Sequence, residues 1–140
     1  MRKIIFPIKF LLFALIFFSQ LTLSISNRAF SQTTLETNAK QWSLRQTEIE
    51  QFYQEGDLQS ALNIAQEAVS LAETAFGSAS LETISSLLLQ AQIHSELDQL
   101  EEANQIYQTA LETTVSAFGE SDAATLSVLD SYGEFLNSID

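Results

Sequence analysis

His94 is the single imidazole in a chain of 140 residues that contains no cysteine, so proton transfer or metal ligation would have to start there. A zinc site needs several nitrogen or sulfur ligands, and His94 has no second histidine or thiolate to recruit. The carboxylates cluster at Glu48/Glu50, Glu101-Glu102 and Glu120/Asp122. None of these clusters has the alternating oxygen ligands around a central glycine that calcium loops use. Adjacent carboxylates on a helix also point apart, which removes the paired geometry of acid–base chemistry. Serine and threonine are plentiful, yet no glycine-flanked serine elbow and no phosphate-cradling loop occurs. The expectation is therefore no enzyme, no cofactor and no metal, with the carboxylates as solvated faces and His94 as a partly buried packing residue. Trp42, Tyr53, Tyr107 and Tyr132 have the chemistry of binding anchors; packing in a core or at a cap is the simpler reading of aromatic groups on helices.

The charge is divided along the chain. Arg2, Lys3, Lys9 and Arg28 precede position 31, and every acidic residue follows it. Lys40 and Arg45 against 18 carboxylates leave 2 − 18 = −16 over residues 32–140. Nucleic acid and anionic membrane surfaces demand a cationic face, so both are excluded as partners of this part. Basic partners or cations suit it instead. The opening stretch has a basic start, an apolar run centred on Phe10–Phe18 and a more polar exit ending in Ala29-Phe30-Ser31. That pattern reads as a signal peptide over residues 1–31, cleaved after Ser31. The competing reading is an uncleaved anchor, which Ser19, Gln20, Thr22, Ser24 and Ser26 dilute below the roughly 20 predominantly apolar residues of a spanning helix. Export to the periplasm or the extracellular space follows, with membrane anchoring as the alternative and membrane contact only through this segment. Absence of cysteine removes lipid attachment through a lipidated thiol and disulfide stapling.

The elements that would position any site come from an internal repeat. Residues 49–98 laid over 91–140 without a gap are identical at 12 of 50 positions. Leu58/Leu100, Ala61/Ala103, Ile64/Ile106, Ala68/Ala110, Phe76/Phe118 and Leu87/Leu129 are among the apolar matches, as expected when the same packing is made twice. Within each unit the apolar residues follow three-and-four spacing, as in Leu58, Ala61, Leu62, Ala65, Ala68, Val69 and Ala72, and period-two alternation is not sustained. Gly77 and Gly119 are expected to stop helices in the left-handed conformation. Ser80, Asp122, Asp57 and Asp98 are expected to cap the helices that follow, the last through the capping box Asp98-Gln99-Leu100-Glu101. The reading is five helices near 38–54, 58–75, 82–96, 99–117 and 123–138, in an all-α domain over residues 40–140 after a short linker at 32–39. Phe76 and Phe118 are expected to plug the ends of the second helices.

The segments "FGSASLETISSLLLQA" and "FGESDAATLSVLDSYG" resemble tetratricopeptide repeats, specifically the longer kinesin light chain-like variant with a 42-residue interval. The resemblance covers residues 40–140, about two and a half repeats. It implies a solenoid of antiparallel helix hairpins, with Ala91, Gly133, Ala61 and Ala103 where helices cross and Ala68 and Ala110 at the later small position. The loop proline of the family is replaced by Leu81 and Ala123. Arg45 stands where Leu87 and Leu129 stand in the later units.

The resemblance further implies a concave groove lined by the first helix of each hairpin, and hence a protein-interaction module. The groove-facing candidates are Gln46, Glu50 and Tyr53; Leu88, Gln92 and Ser95; and Asp130, Glu134 and Asn137. Grooves of this kind that grip a terminal carboxylate use lysine, arginine and asparagine, whereas the matching positions here are neutral or acidic. The expected ligand is a protein segment with lysine or arginine that meets Glu50, Asp130 and Glu134. Other readings are an acidic envelope protein that binds cations weakly and a non-catalytic subunit of a larger repeat-containing signalling assembly. On the last helix Leu129, Tyr132, Gly133 and Leu136 are expected to face inward. Val128, Phe135 and Ile139 are expected outside, as a self-association face that would make a homodimer.

Overall fold

The computed structural model describes the backbone of residues 8–139 and the side chains of residues 31–139. Among the described residues five helices follow one another: α1 (Ile8–Glu55), α2 (Leu58–Phe76), α3 (Leu81–Glu96), α4 (Leu100–Phe118) and α5 (Ala123–Ile139). Two compact units divide the chain, Met1–Thr34 and Leu35–Asp140. The first holds the N-terminal part of α1, and the expected leader over residues 1–31 lies almost wholly outside the described side chains. No helix among the described residues is long and apolar enough to cross a membrane. The first helix of the repeat region was expected from about residue 38 after a linker at 32–39. Residues 32–39 are instead helical and continuous with α1, because nothing from Gln32 to Ala39 is a glycine, a proline or a stop signal.

In the second unit α2 packs on α3, α3 on α4 and α4 on α5, while α3 also touches α5. Short connections of this kind force neighbouring helices to run antiparallel. Small residues carry the crossings: Ala61, Ala68, Ala91, Ala103 and Ala110 are fully buried, where a larger side chain would hold the helix axes apart. One core gathers Ile49, Ala61, Leu62, Ala65, Ala68 and Ile93 between α1, α2 and α3. Another gathers Ala91, Ala103, Tyr107 and Phe135 between α3, α4 and α5. Arg45, the charged departure at an otherwise apolar repeat position, bonds to Glu48 and lies 3.0 Å from Glu67 through Nε, so an ion pair links α1 to α2 where the later units use leucine. Both carboxylates hold the guanidinium pKa above its ordinary value, the hydrogen bond that Arg45 donates to Glu48 contributing most.

The joints between units share a glycine stop and a threonine tie 42 residues apart. Gly77 (φ 97°, ψ 153°) and Gly119 (φ 92°, ψ 163°) end α2 and α4. This is an extended positive-φ conformation open essentially to glycine alone, rather than the left-handed helical one expected. The carbonyl of Gly77 accepts from Ser80 N at 3.1 Å and from Thr83 Oγ1 at 2.9 Å. The carbonyl of Gly119 accepts from Thr125 Oγ1 at 2.7 Å. Thr83 and Thr125 are both buried, identical in the repeat, and were passed over in the sequence because a threonine reads as a poor helix former rather than as a tie. Thr83→Val keeps the shape and removes the hydroxyl while Ser80 still serves the carbonyl. It is expected to lower stability by about 1 kcal/mol, read from denaturant midpoints.

Ser80 caps α3 by accepting from Thr83 N at 3.1 Å, and Asp57 caps α2 by accepting from Ser60 N at 3.1 Å. The Ser60 hydroxyl and amide hold the Asp57 carboxyl below its usual range. Asp122 accepts from Ala124 N at 2.9 Å at the start of α5. The capping box at Asp98 does not form. Asp98 has φ 60° and ends α3, with Gln99 N reaching back to His94 O at 2.9 Å; Gln99 precedes α4 with no side-chain cap. Gly56 (φ 76°) does the same at the end of α1, with Asp57 N on Phe52 O at 2.9 Å. Asp98 is thus the repeat counterpart of a glycine, and aspartate tolerates that conformation better than most residues do.

Phe76 and Phe118 do not plug the helix ends: they are 38% and 41% exposed. Phe76 instead meets Trp42 edge to face at 5.3 Å. The expected faces of α5 are also corrected. Val128 and Phe135 are buried, whereas Leu129 and Leu136 are 43% and 41% exposed. Repeat counterparts explain the inversion. In α3, Ser86 and Ile93 face back toward α1 and α2, and Ile84, Ala91 and His94 face forward onto α4. Val128 and Phe135 are the backward-facing pair of α5 and find α3 and α4 there.

Candidate partner-binding groove

A cavity of about 480 Å³ opens where α3 and α5 lie side by side. From α3 it takes Ser85, Leu88, Leu89, Gln92, Ser95 and Glu96, from α4 Tyr107, and from α5 Ser131, Glu134, Phe135 and Ser138. Each stripe follows from helical spacing: residues 88, 92 and 95/96 recur on one side of α3, and 131, 134/135 and 138 on one side of α5. Leu88, Leu89 and Phe135 make an apolar floor, serines surround it, and Glu96 and Glu134 are its only charged groups.

The floor is held by aromatic packing. Tyr107 stacks on Phe135 at 5.1 Å and on Tyr132 at 5.5 Å. The Tyr132 hydroxyl donates to Asn104 at 2.6 Å and accepts from Gln108 Nε2 at 3.3 Å, tying α5 to α4. Burial, and then the Glu134 carboxylate, push the Tyr107 hydroxyl above its ordinary pKa. At the other end Tyr53 of α1 donates to Glu96 and accepts from Gln92 Nε2 at 3.2 Å. The hydrogen bond to Glu96, and then burial, push the Tyr53 hydroxyl up likewise. Both phenols stay protonated at neutral pH, so the charge of this surface is that of its carboxylates.

Of the nine residues expected to line the groove, Leu88, Gln92, Ser95 and Glu134 do so together, and Tyr53 reaches the group through Gln92 and Glu96. Gln46 is turned to Ser86, whose Oγ it meets at 3.3 Å. Glu50 accepts from Gln54 at 2.6 Å along its own helix and stands outside the cavity. Asp130 and Asn137 are exposed and also outside it. The expected α5 stripe of 130, 134 and 137 becomes 131, 134 and 138. A change of one residue rotates a side chain by about 100° and exchanges two polar exposed groups for two that line a wall. Ser85, Leu89, Glu96, Tyr107, Ser131, Phe135 and Ser138 also line the cavity and were not among the nine. The signal for Glu96 was present, one helical turn beyond Gln92.

His94 is buried, its Nδ1 2.6 Å from Gln99 Oε1; a carboxamide oxygen only accepts, so the ring proton sits on Nδ1. The indole of Trp42 donates to Ser86 Oγ at 2.9 Å. Both groups are committed to joining helices. Among the described residues no group of three or more histidine, cysteine or acidic side chains is placed to hold a metal ion.

Residues 50–114 match the family model described as a tetratricopeptide repeat. The match runs from the end of α1 through α2 and α3 and most of α4, which is one complete joint and the helices on either side of it. The antiparallel helix order in this segment is consistent with that similarity. No curated protein and no solved structure matches the chain.

Proposed function

We propose that this chain is an exported interaction module that docks a basic partner segment into the groove between α3 and α5, using the long, kinesin light chain-like form of the repeat. Tetratricopeptide repeats are generally protein-interaction modules, and the observation that carries the reading is the lining of the 480 Å³ cavity. It has an apolar floor of Leu88, Leu89 and Phe135 and two carboxylates, Glu96 and Glu134, with no base among the lining residues. A segment with one apolar residue for the floor and a lysine or arginine for each carboxylate satisfies both features. The charge of −16 over residues 32–140 adds a long-range pull on such a ligand and excludes acidic ones. Its action is docking, with no bond made or broken. The basic, apolar and then polar order of residues 1–31 supports export.

The test is fluorescence anisotropy with labelled peptides that carry two lysines or arginines around a leucine or phenylalanine, against the same peptides with glutamate for the bases. Binding is expected only for the basic set and weakens with added salt, because solvent-exposed charges are screened beyond about 10 Å at 0.1 M. The double change Glu96→Gln and Glu134→Gln is expected to weaken it about two- to thirtyfold, two exposed pairs contributing up to about 1 kcal/mol each. Glu50→Gln, outside the cavity, should have no more than a general charge effect. Equal binding of the acidic peptides, or indifference to the double change, would overturn the groove. Export is tested separately by fractionation and N-terminal sequencing of the protein recovered from cells.

A further inference from the structure

The hydroxyls around the groove are oriented. Three of its four serines place Oγ against a carbonyl of their own helix: Ser85 on Glu82 O at 2.9 Å, Ser131 on Ser127 O at 3.1 Å and Ser138 on Phe135 O at 2.6 Å. A carbonyl only accepts, so each serine proton is held by the backbone and the oxygen keeps its lone pairs for the cavity. Gln92 likewise directs Nε2 to Tyr53 and Glu96, at 3.2 and 3.4 Å. Glu134 has no ion-pair partner among the described residues. Ser131, Glu134 and Ser138 follow at three- and four-residue spacing, so the α5 wall of the groove is a row of oxygen acceptors. At its base Tyr107 is 5% exposed, and its hydroxyl, not sealed from solvent, has no hydrogen-bond partner among the described residues. A buried phenol left without a partner on the edge of a cavity points to a ligand that supplies one.

A wall of acceptors is matched by a group made of donors. The cations that a protein segment offers are ammonium and guanidinium, and this wall distinguishes them. An ammonium directs three N–H from one strongly hydrated point, which suits a single carboxylate. A guanidinium spreads five N–H over a rigid plane, so two can meet Glu134 side by side while another reaches a serine oxygen one turn away on the same wall. The plane is also weakly hydrated, so it loses less on entering a cavity floored by Leu88, Leu89 and Phe135. The Tyr107 proton then goes to a peptide carbonyl of the ligand, the one acceptor that every segment carries. We propose that the groove selects arginine over lysine, seating the guanidinium on Ser131, Glu134 and Ser138 of α5. The selection rests on the reading of the groove as the site of a basic segment, and it narrows the partner to segments with arginine. Glu96 takes the second base at the end of α3, where the negative end of that helix dipole adds to its charge.

The test uses the full chain and one labelled peptide scaffold, two bases around a leucine, made with arginine, lysine, symmetric dimethylarginine or glutamate at both base positions. Dimethylarginine keeps the charge and the plane and removes an N–H from each terminal nitrogen. In fluorescence anisotropy the arginine peptide is expected to bind about tenfold more tightly than the lysine peptide, from one or two added hydrogen bonds. The dimethylarginine peptide should fall to the lysine level or below. Ser131→Ala with Ser138→Ala removes the acceptors on either side of Glu134 and puts alanine, the best helix former, in a helix, so folding is kept. In that variant the preference for arginine should drop to about twofold or less, with the lysine peptide binding as before. Equal affinity for arginine and lysine, full affinity for dimethylarginine, or an unchanged preference in the serine variant would each overturn the selection and leave the basic groove standing. If neither basic peptide binds better than the glutamate one, the groove itself falls and the selection with it.

Discussion

Phe135→Ala is expected to lower the stability of the repeat unit by about 3–5 kcal/mol, the largest effect of any single change on α5. The ring is 4% exposed, stacks on Tyr107 at 5.1 Å and joins the core that contains Ala91, Ala103 and Tyr107. Its removal takes away transfer energy and leaves a void that helices pinned at Ala91 and Ala103 cannot close. In a unit of this size the melting temperature should fall by about 12 °C or more, at 4–8 °C per kcal/mol. Ile139→Ala is the control: the side chain is 44% exposed and its loss is expected to stay within about 0.5 kcal/mol. Thermal melts of the two variants decide between the observed burial and the reading in which both residues belong to one outward face. Because Phe135 also floors the groove, a folded fraction of the variant at low temperature should bind basic peptides more weakly.

Alanine in place of both Gly77 and Gly119 is the second large effect. At φ 97° and 92° with ψ near 153° and 163°, an L side chain meets its own backbone, at about 1–3 kcal/mol per site. Space is not the cause, since an added Cβ would touch nothing within 4 Å at either position. The cost arises wholly in the backbone, and it falls on the turn that delivers the carbonyl to Thr83 or Thr125. Gly133→Ala is the internal contrast. It sits inside α5 with ordinary helical geometry and open space, so the same substitution should stabilise the folded monomer by about 0.5–1 kcal/mol through the unfolded chain and helix propensity. Opposite signs for one chemical change, read from denaturant midpoints of the three variants, separate backbone strain from packing. A loss at Gly133 equal to that at Gly77 would refute the assignment.

Much of the fold was legible because it depends on local chemistry. Ala61, Ala68, Ala103 and Ala110 recur at the interval at which helices cross, and the second helices end within one residue of where Gly77 and Gly119 say they must. Ser80, Asp57 and Asp122 cap as their types demand, since a cap needs only a side-chain oxygen and a free amide a few residues on. Asp98 failed for an equally local reason that the repeat itself contained: its counterpart is Gly56, so the position belongs to a helix end. The continuity of α1 through residues 32–39 was missed because the change there from apolar to polar residues alters composition without supplying a stop.

By itself, then, the sequence determined an all-helical, twice-repeated architecture, the joints at Gly77 and Gly119 and a strongly acidic surface. All of these follow from spacing, backbone freedom and charge, which are properties of neighbours along the chain. Only the tertiary structure decided which side of α5 is covered, that Glu96 and Phe135 belong to the groove while Glu50, Asp130 and Asn137 stand outside it, and that Leu126, Leu129 and Leu136 are left open. Helical periodicity says that a face exists, but a rotation of 100° per residue lets several adjacent stripes qualify. The choice among them is made by which helices arrive on either side, and that depends on contacts between residues distant in the chain.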